Sequence, residues 1–174
     1  VGGDDGDLFF GVINRVLIDE QENIYLLDGQ LSDVKVLSRD GEFLRTMGRE
    51  GDGPGEFRGP AEMGFLPDGT LGVLQGTPGK VIRLNMEDGT PADSWQLSNA
   101  ESGGFFEMQG LRVGGGSVIV AGSHQIMDQT AGVIHRDNFL AYVDPETGLL
   151  GQEVARRKIE FDLANLVIDE NNLV

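Results

Sequence analysis

Hydrophobic positions in this chain fall in short β-rich runs separated by turn residues. No stretch sustains apolar residues at i, i+3, i+4 and i+7 over several turns, so long helices are not predicted. The first set of runs reads Arg15–Ile18, Asn23–Leu27, Val34–Ser38 and Glu42–Met47. A second set reads Met63–Leu66, Thr70–Leu74, Val81–Asn85 and Thr90–Leu97. Between them stand Asp40-Gly41, Pro67-Asp68-Gly69 and Glu87-Asp88-Gly89. Proline presets φ and glycine accepts the positive φ that closes a tight turn, so each run pair reads as a hairpin. Ala155–Leu166 is the best helical candidate, but Phe161-Asp162-Leu163 aligns with the connector that precedes earlier sets and predicts strand plus connector.

The succession repeats. Asn23, Gly69 and Gly116 occupy equivalent turns, as do Gly41, Gly89 and Gly148, with a period in the mid-forties. The third interval is longer by about eleven residues, and the excess falls between Val120 and Phe139. Gly122–Asn138 is therefore predicted to be an enlarged surface loop. The repeat divides a single segment, residues 1–174, into units at 12–57, 58–106 and 107–160, with 161–174 opening a fourth. Gly3-Asp4-Asp5-Gly6-Asp7-Leu8-Phe9 matches the later connector, and Val167-Ile168-Asp169-Glu170 matches Leu17-Ile18-Asp19-Glu20. The expectation is about three and a quarter units of a longer repeat protein.

The connector carries the most specific pattern. Arg39-Asp40-Gly41-Glu42-Phe43-Leu44 is followed by Gly48, then Gly51-Asp52-Gly53-Pro54-Gly55-Glu56-Phe57, then Pro60. This resembles the NHL-repeat and related bacterial six-bladed β-propellers, whose units join through such a connector. The second unit departs from it: Ser102-Gly103-Gly104-Phe105-Phe106 keeps glycine and aromatic but loses Pro-Gly. The resemblance implies an all-β fold, a β-propeller of four-stranded antiparallel blades that is incomplete in this chain. Phe9, Phe57 and Phe105 or Phe106 would fill the wedges between blades. A propeller closes with roughly 4 to 8 blades, so remaining blades or a partner would have to cap the open strand edges.

Charge narrows the partners. The chain has 13 basic and 29 acidic residues, a formal net charge of −16. That field repels polyanions and argues against nucleic acid, while favouring a basic protein surface. Cysteine is absent, which removes disulfides and thiolate metal sites. No apolar run approaches the roughly 20 residues that span a bilayer, so the segment does not itself cross one, although docking on a membrane complex is compatible. With the resemblance to bacterial propellers, these features predict an extracytoplasmic location, periplasmic or secreted.

No catalytic set emerges. Gly51-Asp52-Gly53-Pro54-Gly55 contains Pro54 and leads into a predicted strand and not a helix, which argues against a dinucleotide loop and for a turn. Gly79-Lys80 lacks the first glycine and the following Ser or Thr of a phosphate loop. Ser117, Ser123 and Thr130 have no organised His–Asp partners. No cofactor is assigned. Calcium or another divalent metal is compatible with the oxygen-rich Asp4-Asp5-Gly6-Asp7, and His124, Asp128 and His135 come nearest to a metal-ligand set, with Asp137 close by. Arg156-Arg157-Lys158 is the basic run, predicted to lie on a solvated outer strand. Connectors and the loops between second and third strands emerge on one face of a propeller. The predicted contact surface is that face, with His124, Gln125, Met127 and His135 prominent beside Arg49 and Asp28. The function expected is a non-enzymatic protein-binding or scaffold module, an accessory subunit of a larger membrane-associated complex. Two alternatives stand beside it. Propellers of the resembled kind include lactonases and peptide-amidating lyases with a channel metal, for which the predicted inner strands offer Asn14, Glu62 and Gln109. The other is a ligand-sensing domain.

Overall fold

The computed structural model describes residues 9–97 and 103–162. It contains fourteen strands and, among the described residues, no helix. The first sheet is formed by β1 (Ile13–Ile18), β2 (Ile24–Asp28), β3 (Asp33–Leu37) and β4 (Phe43–Met47), in that order. A short parallel pair follows, β5 (Arg49–Glu50) with β6 (Glu56–Phe57). The second sheet runs β7 (Pro60–Phe65), β8 (Thr70–Gln75), β9 (Lys80–Asn85), β10 (Pro91–Gln96). The third runs β11 (Phe105–Gly114), β12 (Ser117–Asp128), β13 (Val133–Val143), β14 (Leu150–Asp162).

Each sheet is an antiparallel meander, and the first strands of the three sheets meet. Asn14 on β1 donates from Nδ2 to the carbonyl of Pro60 on β7 at 2.8 Å. Gly64 on β7 lies against Val113 and Leu111 of β11. First strands inside and fourth strands outside define radial blades. The fold is a β-propeller of four-stranded antiparallel blades, incomplete in this chain.

The turns form as their residues dictate. Gly41, Gly69 and Gly89 take φ of 85°, 83° and 74°, a region that L side chains avoid. Their amides donate to the carbonyls of Ser38, Leu66 and Asn85. Gly48 is needed twice over: its φ is 68°, and a Cβ there would strike the Phe57 ring.

Two cores lie between the sheets. Tyr25, Leu27, Val34, Val36 and Met47 of the first sheet meet Met63, Leu71, Val73, Ile82 and Leu84 of the second, with Phe57 between them. Leu66, Leu74, Val81, Trp95 and Leu97 face Met108, Leu111, Val118, Val120, Phe139, Ala141 and Val143 of the third. The second sheet is therefore buried on both faces. That is why β8 reads as a nearly continuous apolar run while β1 alternates.

Two expectations are corrected. Gly122–Asn138 is not a loop. β12 and β13 stay in register from Val118↔Val143 out to Asp128↔Val133, so the insertion lengthens a hairpin. Asp128 Oδ1 accepts the amides of Thr130 and Ala131, and Gly132 supplies a φ of 68°, so a tight turn closes the ladder. The wedge aromatics are also unequal. Phe57 is wholly buried, whereas Phe9 and Phe105 are exposed. Phe106 is partly buried against the second core. Phe57 is enclosed because its strand enters between two sheets. Phe9 precedes the first sheet, and Phe105 opens a strand that runs past its neighbours. The Asp4–Asp7 segment and the start of the fourth unit from residue 163 lie outside the described residues.

Phe57→Ala empties a filled wedge and should cost about 3–5 kcal/mol. Phe9→Ala should stay within about 0.5 kcal/mol of the parent. Urea denaturation of the two variants checks the contrast, and equal losses would contradict the wedge assignment.

Candidate functional site

The strands of the first two sheets hold five or six residues each, while those of the third hold ten to thirteen. The added length overhangs at the end where β11 begins and β12 turns into β13. Cross-strand register sorts its residues by face. Phe106, His124, Asp137 and Lys158 form one row, and Ile126, His135 and Glu160 form the next on the same face. Phe105, Gln125, Arg136 and Ile159 form a row on the opposite face, followed by Met127, Ile134 and Phe161.

The His124 ring stacks on Phe106 with centroids 4.1 Å apart. Its Nε2 lies 2.7 Å from the Gly103 carbonyl oxygen. A carbonyl only accepts, so Nε2 carries the proton and donates. His135 Nδ1 is 3.3 Å from Glu160 Oε1. Asp137 pairs with Arg156 at 2.6 Å. His124, Ile126, His135, Asp137 and Lys158 line a shallow depression of about 180 Å³.

The sequence-predicted residues are thus divided. His124 and His135 share a face and a depression, while Gln125 and Met127 lie behind them. Arg49 sits on the connector, ion-paired to Glu56. Asp28 is not a surface residue: it is fully buried, and its carboxylate accepts the amides of Gly11, Val12, Gln30 and Leu31. It fastens the β2–β3 turn to the chain entering β1. Asp128 is committed to the hairpin turn. Among the described residues no group of three or more His, Asp or Glu side chains converges to hold a metal.

The inner strands hold a second polar cluster. Glu62 of β7 lies 2.5 Å from Arg112 Nη1 of β11 and 3.6 Å from Arg15 Nε of β1. Asn14 is bound to Pro60, and Gln109 donates to Glu107 at 3.1 Å. Arginine is not a metal ligand, so Arg15 and Arg112 carry no signal for a channel metal. The available signal was opposite charge on the first strands of successive units, Arg15, Glu62 and Arg112.

No family model matches the chain, and no curated protein matches it. Solved structures do. A Bacteroides fragilis protein taken to be exported aligns over 94% of this chain and 74% of its own, with 10% identity and a TM-score of 0.51. A protein of unknown function from Bacteroides caccae aligns over 79% of this chain and 47% of its own, with 16% identity and a TM-score of 0.45. A virginiamycin B lyase from Staphylococcus aureus aligns over 86% of this chain and 55% of its own, with 10% identity and a TM-score of 0.47. The chain spans about half the length of the Bacteroides caccae and Staphylococcus aureus proteins. At these identities the likeness is one of fold.

Burial pushes the Asp28 carboxyl up, but the amides of Leu31, Gly11 and Gln30 outweigh it and hold it below the ordinary value of 3.8. Its stabilising contribution is full above that value and is lost as pH falls through the lower native one. Asp28→Ala leaves buried amides without an acceptor and should cost about 2–4 kcal/mol near neutral pH. Asp28→Asn keeps an oxygen but no charge, so its deficit against the parent should shrink between about pH 7 and pH 3. Denaturation at both pH values measures this, and a deficit independent of pH would refute the charged role.

Proposed function

We propose that this chain is a non-enzymatic protein-binding module whose contact element is the overhanging arm of the third sheet. The observation that carries the reading is the arm itself. A paired hairpin extends beyond the blade and exposes large apolar side chains at its end, with Phe105, Ile126 and Met127 at 49%, 43% and 54% exposure. Isolated exposed apolar residues are ordinary, but Phe105 and Met127 on one face and Ile126 on the other give the end of one projecting element an apolar side chain on each side, which a partner closing around the arm would bury. The ladder holds the arm stiff, so a partner closing on it orders few new groups. The His124–Phe106 stack and the charged rims on either side supply directional contacts. The net charge of −16 favours a partner with a basic surface and speeds its approach.

The same reading places the chain as an accessory subunit of a larger assembly outside the cytoplasm. Its support is the exported status assumed for the Bacteroides fragilis protein. The outer faces of the first and third sheets also keep apolar residues in solvent, Val16, Ile18 and Phe43 on one and Leu140, Tyr142 and Val154 on the other. Further blades or a partner would cover them.

A photocrosslinking residue at Met127, in the protein expressed in its source cells, should capture one discrete partner. Ile126→Glu should abolish that capture while changing stability by no more than about 0.5 kcal/mol. A crosslinker at exposed Leu44 on the first sheet is the control. No adduct at Met127, or the same adducts at Leu44, would overturn the assignment of the arm.

A further inference from the structure

Where the three inner strands meet, two guanidinium groups surround one carboxylate, and their hydrogen bonding is unequal. Arg112 donates from Nη1 to Glu62 Oε2 at 2.5 Å and to the Leu111 carbonyl at 2.6 Å. Arg15 makes no hydrogen bond among the described residues. Its Nε is shielded from solvent, yet stands 3.6 Å from Glu62 Oε2, beyond hydrogen-bond reach. A guanidinium carries five N–H donors in a planar fork. In Arg15 the Nε donor is the one held out of solvent, and it has no acceptor within hydrogen-bond distance, while the rest of the fork stays open to solvent.

Charge points the same way. Two positive groups face one negative group, and no other described carboxylate comes within ion-pairing distance of either arginine. The local excess is positive in a chain of net charge −16. The arginine side chains remain reachable, at 34% and 60% exposure, while Glu62 between them is at 13%. A purely structural staple would hydrogen-bond both arginines to the carboxylate. This cluster satisfies one and leaves the other loaded.

We propose that Arg15 and Arg112 form an oxyanion-binding site at the inner-strand junction, taking a carboxylate or phosphate group. The ligand oxygens meet the solvent-facing amino groups of the Arg15 fork, and the exposed part of the Arg112 fork provides the second contact. Glu62 is a positioning residue. It anchors Arg112, keeps both guanidiniums at the junction and competes with the ligand for them, which keeps binding reversible. The site lies toward the opposite end of β11 from the overhanging arm and does not depend on the arm's role.

Calorimetric titration of the 174-residue chain with succinate, and separately with inorganic phosphate, at low ionic strength tests the site. One saturable event is expected, with a dissociation constant on the order of 1 mM. The better of the two probes identifies the oxyanion class. Arg15→Gln and Arg112→Gln should each weaken it by at least about tenfold. Arg15→Lys keeps the charge, loses the fork, and should also weaken it, which covers the case of a neutral variant that fails to fold. Glu62→Gln should tighten binding, because the rival carboxylate is gone; a staple predicts only a lower melting temperature. No saturable binding of either anion, unchanged binding in folded Arg15→Lys, or no tightening in folded Glu62→Gln would overturn the site.

Discussion

A meander of four strands, each five or six residues long, is stable only where its apolar face is covered. Each blade of this chain depends on the face of the next, and that mutual coverage is the constraint from which the other features follow. It requires the second sheet to be apolar on both faces, and Leu71 and Val73 accordingly point into one core while Leu74 points into the other. It requires the wedge at the narrow connector to be filled, which Phe57 does, and it requires Gly48 beside that ring to carry no side chain. The inner strands must then approach so closely that side chains from three of them touch at Glu62.

Much of the acidic charge belongs to this scaffold. Asp19, Asp68, Asp88 and Asp144 each accept backbone amides two to four residues onward, the local bond that makes aspartate a turn former. At Asp88 and Asp144 the amides of Thr90 and Thr147 chiefly lower the carboxyl pKa. At Asp19 and Asp68 burial opposes the shift, and the hydrogen bonds outweigh it. A composition that looks like surface solubility is therefore partly turn chemistry. Each lowered carboxyl favours the fold above the ordinary aspartate value and loses that contribution as pH falls through its lowered one, with solvent screening weakening the effect at exposed Asp88 and Asp144.

The strands and turns were legible because their causes are local. Asp-Gly pairs, β-rich runs and the period in the mid-forties all act within a few residues or repeat openly. What was not legible depends on partners remote in sequence. The run Ser123-His124-Gln125-Ile126-Met127 looks like loop until Ile134–Asn138 is laid against it as a ladder. Asp28 reads as an exposed turn residue until Gly11 and Val12 arrive from the preceding connector to bind its carboxylate. Phe105 and Phe106 satisfy the connector pattern equally, and only the pleat of β11 decides that Phe106 faces His124 and Phe105 faces away. At the junction, Asn14, Glu62 and Gln109 stand on separate strands far apart in sequence. Arg15, Glu62 and Arg112 become a unit only when three strands are brought together.

The third sheet joins the two places where this scaffold departs from simple blade packing. β11 carries Phe105 and Phe106 at the arm and Arg112 near its other end, so one inner strand links the projecting hairpin to the inner-strand junction. Its middle is fixed by Met108 and Leu111 in the second core, and its far end by the pairing with Glu62. Packed interiors resist gradual deformation. An arm anchored in this way is held by the blade interface behind it, and loosening that interface would free both the hairpin and the arginine. Rigidity at the core is thus what gives the overhang a fixed direction and keeps the guanidinium of Arg15 beside Glu62 with its Nε out of hydrogen-bond reach.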